Sequence, residues 1–342
     1  MTNQYPELRE TGFFFYCSGN VFSFASVCLA DGLNQLGIPV FSNIDYEENL
    51  ISDFKFQSVK NLKFSDQGEP KYIIYDLSSC SIEKPIELVI PSGKIGLALS
   101  MSDVVSGCIL KNDIPFFCTH YNEFLEVQGW RLPWAFGLSS KMVKSSGYDV
   151  SSIDTRKKSI VYNFRPSLSQ SVRECLDLIL IPHLEKYFTL ETEIVGEGRW
   201  TETNLERLKR SFGCLAYGGT FSQDLLKNDF FETLEDYSRL YKNFTYLKRT
   251  VIDRWDSWRF WESLAAGCLT FHLDFEKYGF KLPVMPNNWE HYIGLNLEDI
   301  KGDIERVMDE SEKLPIIAAN GRKWALEHYS PIAVAERFLS IF

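Results

Sequence analysis

Several features that mark particular classes of protein are missing from this chain. Its eight cysteines are scattered, and no two of them have the C-x-x-C spacing of a zinc or redox site. No apolar run reaches the roughly 18–20 residues that a membrane span needs. The first ten residues contain no basic stretch followed by an apolar core, the pattern of a signal peptide. We therefore expect reduced thiols, no disulfide scaffold, no integral membrane span and a cytoplasmic location.

An excess of positive charge is also missing. The 342 residues carry 46 acidic and 36 basic side chains, a formal net charge of −10. An acidic balance argues against nucleic acid or an anionic membrane as the main partner, although it permits a local basic pocket. The hydrophobic content of 45% is that of an ordinary globular protein, and the length suits two domains.

The amino-terminal part reads as a strand, a helix and a second strand. Residues 12–20 begin with an apolar run, residues 21–36 have helical periodicity, and residues 38–43 read as the next strand. The turn Ser18-Gly19-Asn20 would lie at the carboxyl end of a parallel sheet, where open α/β folds bind ligands. It has no G-x-G-x-x-G, so it gives little support to a dinucleotide site, and a plain connector is the alternative.

Two further strands end beside side chains that could act as a general base. Strands are predicted at 71–77, 94–100 and 114–119, and Asp103 and His120 follow the last two. A histidine titrates near neutral pH, which suits proton transfer from a hydroxyl. The structural alternatives are that His120 caps or packs and that Asp103 is an N-cap.

The composition changes between residues 137 and 155, which are rich in Ser, Gly and Asp. Such a change indicates a domain boundary. The α/β rhythm then restarts with a strand at 159–164 and a helix at 169–187. Arg165 and Ser167 lie in the loop between them, where a basic side chain can meet a phosphate at a helix N-terminus. Ordinary surface charge is the competing interpretation of Arg165.

The most unusual stretch is 253–268, which predicts a short helix with defined ends. Asp256 and Ser257 are good N-cap residues, residues 260–266 have helical character, and Gly267 closes the helix. The run 268–274 then predicts a buried strand. A helix that enters a strand through a tight glycine turn is half of a parallel α/β unit.

The charges in this stretch point to an anion. Arg259 falls in the first helical turn, where a cation opposes the helix dipole by roughly 0.3–1 kcal/mol, and Arg254 lies just ahead of it. Lys248 is a third candidate cation, with a free surface lysine as the alternative. Glu262 needs a partner in this apolar setting, which ligand hydroxyls could supply. An ordinary i,i+3 ion pair between Arg259 and Glu262 is the plainer interpretation.

Residues 257–269, Ser-Trp-Arg-Phe-Trp-Glu-Ser-Leu-Ala-Ala-Gly-Cys-Leu, resemble a known signature. It is the S-x-R-x-x-E-(A/S)-x-x-(A/S)-G-C-(I/V/L) pattern of the nucleotide-sugar half of GT-B glycosyltransferases, closest to the exostosin-like and group-1-like branches. Residues 320–330 resemble the closing helix of that fold. The resemblance implies an α/β protein of two Rossmann-like domains facing across a cleft, with a C-terminal helix that crosses back to the N-terminal domain.

The resemblance also implies domain limits and roles. It predicts an acceptor domain at 1–155, a nucleotide-sugar domain at 156–329 and a returning helix at 330–342. The glutamate of the motif, Glu262 here, meets ribose or sugar hydroxyls, while nearby basic residues hold the diphosphate. The predicted donor-binding set is Arg165, Ser167, Lys248, Arg254, Asp256, Ser257, Arg259 and Glu262. Group-1 enzymes often carry a second glutamate where this chain has Arg254, so retaining chemistry is not implied.

The resulting hypothesis is a glycosyltransferase that moves a sugar from a nucleotide-diphosphate sugar to an acceptor hydroxyl on a glycan, a lipid-linked molecule or a small molecule. The acceptor is expected near Ser18, Gly19 and Asn20, with His120 or Asp103 as base. No D-x-D dyad stands in a suitable setting, so we expect protein cations and not a metal ion to offset the leaving group's charge. A nucleotide-sugar epimerase or phosphorylase, and a non-catalytic nucleotide-sugar-binding relative, remain alternatives.

Overall fold

The computed structural model describes residues 6–59, 70–78, 86–101, 110, 113–125, 131–147, 150–164, 171–192, 202–221 and 251–342. They divide into two compact units. The first unit consists of the described parts of Met1–Tyr121, Glu126–Lys144 and Glu327–Phe342, and the second of those of Asn122–Leu125 and Ser145–Leu326. The sequence placed the divisions at 155/156 and 329/330, whereas the units divide at 144/145 and 326/327.

The first unit is built on a parallel sheet. Its strands are β1 (Phe13–Cys17), β2 (Val40–Ser42), β3 (Tyr46–Glu47), β4 (Lys55–Phe56), β5 (Tyr72–Asp76), β6 (Ile95–Ser100), β7 (Phe116–Cys118) and β8 (Arg131–Pro133). Its helices up to residue 146 are α1 (Pro6–Thr11), α2 (Phe24–Gln35) and α3 (Ser140–Ser146). Six strands pair in the order β2-β1-β5-β6-β7-β8, all parallel, and β3 and β4 form a separate antiparallel pair.

Burial explains why β1 lies inside this sheet. Four of its five residues are buried, as expected for a parallel strand that is covered on both faces. The strand–helix–strand unit predicted from residues 12–43 is confirmed, with α2 capped by Ser23, whose Oγ accepts from the Ser26 amide at 3.3 Å. The segment 131–146, which the sequence assigned no regular structure, contains β8 and α3.

The second unit repeats this plan. Its strands are β9 (Lys157–Val161), β10 (Thr189–Glu191), β11 (Ser211–Leu215), β12 (Thr220–Phe221), β13 (Ile252–Asp253), β14 (Leu269–Leu273) and β15 (Ile293–Leu295). Its helices are α4 (Ser171–Ile179), α5 (Ile181–Leu184), α6 (Glu202–Arg210), α7 (Trp258–Ala265), α8 (Ile300–Asp309) and α9 (Leu314–Tyr329), of which α9 runs into the first unit from Glu327. The parallel sheet has the order β10-β9-β11-β14-β15, and β12 and β13 pair antiparallel.

The core of the second unit lies around β11 and β14. Every residue of both strands is buried, which matches their position in the middle of the sheet. The strand predicted at 268–274 is therefore confirmed as β14.

The last helix, α10 (Pro331–Leu339), belongs to the first unit and packs on α2. The Phe338 ring lies 5.4 Å from that of Phe13 in β1. A Cβ on Gly32 of α2 would stand 2.0 Å from the carbonyl oxygen of Pro331, so this close approach requires glycine. The predicted return of the C-terminal helix to the first unit is thus confirmed. No helix among the described residues is long and apolar enough to cross a membrane.

Candidate functional site

The carboxyl edge of the second sheet gathers several polar and charged groups. Asn163 and Phe164 follow β9, and Gly218 and Gly219 follow β11. Because all strands of this sheet are parallel, their carboxyl ends meet at one edge, where α/β folds place ligands. The turn before α7 reaches the same edge, since β13 pairs with β12 just after the two glycines.

The turn leading into α7 has a constrained backbone. Arg254 has φ +55°, a left-handed conformation that few non-glycine residues adopt. Ser257 is the N-cap, and its Oγ accepts from the amide of Arg259 at 3.2 Å. Asp256 accepts through Oδ1 from the indole Nε1 of Trp261 and from the Ser257 amide, both at 2.8 Å. The predicted helix start is confirmed, and Asp256 holds that start in place.

Arg259 reaches from α7 to the end of β9. Its Nε donates to Oδ1 of Asn163 and its Nη2 to the carbonyl oxygen of Asn163, both at 2.9 Å. The guanidinium carbon lies 5.1 Å from the centroid of the Phe164 ring. A guanidinium held in this way has little freedom, so it offers a preorganised positive charge at the edge.

Arg173, which sequence reasoning missed, brings a second guanidinium to the same ring. Its guanidinium carbon lies 4.6 Å from the Phe164 centroid, and its Nε is 3.4 Å from the carbonyl oxygen of Tyr217. Arg173 stands in the first turn of α4, the same unfavourable place for a cation that singled out Arg259 in α7. That repetition was the available signal. Two guanidiniums beside one ring form a positively charged site suited to an anion.

A chain of two asparagines joins Arg259 to Glu262. Nδ2 of Asn163 donates to Oδ1 of Asn204 at 3.2 Å, and Nδ2 of Asn204 lies 3.4 Å from Oε2 of Glu262. Glu262 is only 4% exposed. Burial raises its pKa to about 7, against the opposing charge of Arg259. Asn204, on α6, had no local signal in the sequence.

The double glycine brings backbone close to this edge. Gly219 has φ +120°, and a Cβ there would stand 2.6 Å from Cγ2 of Ile252 and 2.9 Å from the carbonyl oxygen of Asp253. A Cβ on Gly218 would meet Nη2 of Arg173 at 3.4 Å. Glycine is therefore required at 219 by both backbone angle and space.

His272, in β14, contacts the backbone of the turn that leads into α7. It is fully buried, and its Nε2 lies 3.1 Å from the carbonyl oxygen of Trp255, the residue after Arg254. Burial lowers the pKa of His272 to about 4, although carbonyl contacts oppose the shift. The ring is therefore neutral at physiological pH and adds no cation to the edge.

Among the described residues, the predicted groups of the first unit, His120 and the turn Ser18 to Asn20, lie at the carboxyl edge of its own sheet. His120 follows β7 with φ +58°, is 2% exposed, and packs edge-on against Phe136 at 5.2 Å between ring centroids. Ser18 and Asn20 are exposed in the turn after β1. Asp76, at the end of β5, was missed; its Oδ2 accepts from the Ser23 amide at 2.6 Å and so anchors the start of α2.

Four predicted site residues, Asp103, Arg165, Ser167 and Lys248, lie outside the described residues. Arg254, Asp256, Ser257, Arg259 and Glu262 are brought together around the start of α7. Their roles in binding stay predictions. Within the described ranges, no group of three or more His, Cys, Asp or Glu side chains is placed to hold a metal ion.

Comparison with known proteins bears on the fold. No family model and no curated protein matches the sequence. Among solved structures, an alpha-glucosyltransferase in complex with UDP and a 13-mer DNA containing a central A:G mismatch is 9% identical, with a TM-score of 0.50 over 97% of this chain and 99% of that one. An alpha-glucosyltransferase (AGT) in complex with UDP is also 9% identical, with a TM-score of 0.50 over 96% and 99% of the two chains. Two parallel α/β units, a returning terminal helix and this likeness together show that the chain has the GT-B fold of glycosyltransferases.

Proposed function

We propose that this protein is a glycosyltransferase that moves a sugar from a nucleotide-diphosphate sugar to an acceptor hydroxyl. The observation that carries the proposal is the pair of guanidiniums, Arg173 and Arg259, beside Phe164 at the carboxyl edge of the second sheet. In a glycosyltransferase fold, this edge is where a donor diphosphate would need positive charge.

The chemistry requires that charge at the moment of transfer. The bond between the anomeric carbon and the diphosphate oxygen breaks, and a bond from the acceptor oxygen to that carbon forms. Negative charge builds on the departing diphosphate, and fixed guanidiniums beside it would lower the barrier. Arg254 and, outside the described residues, Arg165 and Lys248 are further cations for the same group. The proposed reaction uses these protein cations in place of a metal ion.

The acceptor is assigned to the first unit. His120 or Asp103 takes the proton of the attacking hydroxyl if the reaction inverts the anomeric centre, and Ser18 to Asn20 contribute to acceptor binding. The left-handed backbone at His120 supports this role, because strained backbone conformations concentrate at functional sites. The net charge of −10 supports a glycan or small-molecule acceptor in place of nucleic acid.

The test is turnover on a panel of nucleotide sugars, with and without EDTA, in wild type, Arg259→Ala and the control Arg210→Ala. Arg210 is an exposed cation in the last turn of α6. We expect Arg259→Ala to lower kcat/KM by about 10²–10³-fold, as for removal of one preorganised donor. Arg210→Ala and EDTA should leave the rate unchanged. Equal rates for both variants would refute the assigned site, and loss of activity in EDTA would refute metal independence.

A further inference from the structure

Three hydrogen bonds connect the cation and the carboxylate of α7 by a path outside the helix. Arg259 and Glu262 are three residues apart, the spacing of a direct ion pair. Arg259 instead turns to Asn163, whose Oδ1 and carbonyl oxygen it binds at 2.9 Å. The path continues through the 3.2 Å bond to Asn204 and the 3.4 Å bond to Glu262, linking residues 41 and 58 positions apart. We call these four side chains the amide relay.

Every bond in the amide relay has the same polarity. Each asparagine turns its oxygen toward Arg259 and its NH₂ group toward Glu262. The reverse orientation of either amide would place NH₂ against the guanidinium or an oxygen against the carboxylate. The two end charges therefore select one orientation, and polar chains aligned in this way strengthen each link.

We propose that Glu262 is a positioning residue that orients Arg259 through Asn204 and Asn163. Two observations support this role. The Glu262 side chain is 4% exposed, and its Oε2 is committed to Asn204. The effect of Glu262 on the orientation of Arg259 does not depend on the proposed function. Its effect on donor binding does rest on the proposed function.

Moving the carboxylate from position 262 to position 204 tests the proposal. Asn204→Asp places an acceptor-only group against Glu262, so two carboxylates face each other. Adding Glu262→Gln restores a donor, because the glutamine NH₂ can bind the new carboxylate at position 204 while Asn163 still donates to its other oxygen. The double variant keeps the net charge and the number of hydrogen bonds but moves the carboxylate one residue closer to Arg259.

The readout is solvent exchange of the Arg259 Nε–H at pH 8 by NMR, with the signal assigned by its loss in Arg259→Lys. Asn204→Asp should speed exchange on the order of tenfold, the size of an interaction between residues in contact. Glu262→Gln should speed exchange slightly in wild type yet slow it in the Asn204→Asp background. Glu262→Gln that acts in the same direction in both backgrounds overturns the proposal.

A second background guards against misfolding of Asn204→Asp. In Asn204→Ala the hydrogen bond to Glu262 is lost, so adding Glu262→Gln should leave Arg259 Nε–H exchange unchanged, and any further acceleration overturns the proposal.

UDP titration of the same variants separates the amide relay from the proposed function. The variants with faster Arg259 Nε–H exchange should have the higher Kd for UDP, so the double variant should bind UDP more tightly than Asn204→Asp. If wild type binds no UDP while the exchange pattern holds, the proposed function fails and the amide relay stands.

Discussion

The carboxyl edges of the two parallel sheets use their polar residues differently. At the first edge, the buried carboxylate of Asp76 holds the start of α2, and the exposed turn after β1 carries no charge. At the second edge, Arg173 and Arg259 are bound by backbone or amide oxygens, and both guanidiniums lie over the Phe164 ring. One edge uses its charge to hold its own fold, whereas the other keeps two guanidiniums in fixed positions. Under the proposed function, the second edge would bind the donor's anion and the first edge would supply the base.

The largest effect is expected at the first edge. If His120 and not Asp103 is the base, His120→Asn should lower kcat by about 10²–10⁴-fold with little change in the KM of the donor, because a general base acts in the transition state. Asparagine tolerates the left-handed backbone, so the variant removes the imidazole without changing the turn. Steady-state kinetics measures the split. A raised donor KM with unchanged kcat would mean that His120 acts in donor binding, and it would contradict separate roles for the two edges.

The next largest effect is a pH dependence at the second edge. The Glu262 pKa of about 7 lies above its ordinary 4.5, so the folded state binds this proton more tightly. This proton therefore stabilises the folded state fully below pH 4.5, and the stabilisation is lost as pH rises through 7. At 1.36 kcal/mol per pKa unit, the loss in the free energy of unfolding is about 3 kcal/mol. Urea unfolding of wild type and Glu262→Gln from pH 4.5 to 8 measures the difference. Parallel pH profiles would show that Glu262 is ionised without cost in the folded protein.

A smaller effect tests the backbone of the second edge. Gly219→Ala should lower the free energy of unfolding by about 2 kcal/mol, because its φ of +120° and the 2.9 Å approach to the Asp253 carbonyl oxygen both oppose a Cβ. Gly147→Ala is the matched control in the same unit: its φ is +70° with nothing within 4 Å of an added Cβ. That control should cost about 1 kcal/mol. Equal losses in chemical denaturation would mean that close packing at Gly219 adds nothing.

Local signals account for what the sequence predicted. The start of α7 follows from Ser257 and its end from Gly267, which has φ +64°, and both are set by neighbouring residues. The buried strands follow from continuous apolar runs. The strand β8 was missed because it has only three residues, Arg-Leu-Pro, and the helix α3 because five of its seven residues are polar and show no clear period.

The rest of the candidate site depends on tertiary structure. Asn163 and Asn204 are 41 positions apart and meet only because β9 and α6 pack in one unit. Arg173 carried the same signal as Arg259, a cation in a first helical turn, but no surrounding motif drew attention to it. Sequence alone therefore predicted the start of α7, and the folded chain shows which groups meet beside it.

Calorimetric titration of UDP into wild type, Arg173→Ala, Arg259→Ala, the double variant and Arg210→Ala tests the central claim most directly. Each single loss at the ring should weaken binding about tenfold or more, as expected for a charge-assisted contact. The fold-increase in Kd of the double variant should be smaller than the product of the two single fold-increases, because both guanidiniums would contact one diphosphate. Arg210→Ala should bind as wild type does. Unchanged Kd in Arg173→Ala and Arg259→Ala would contradict an anion site at the second edge.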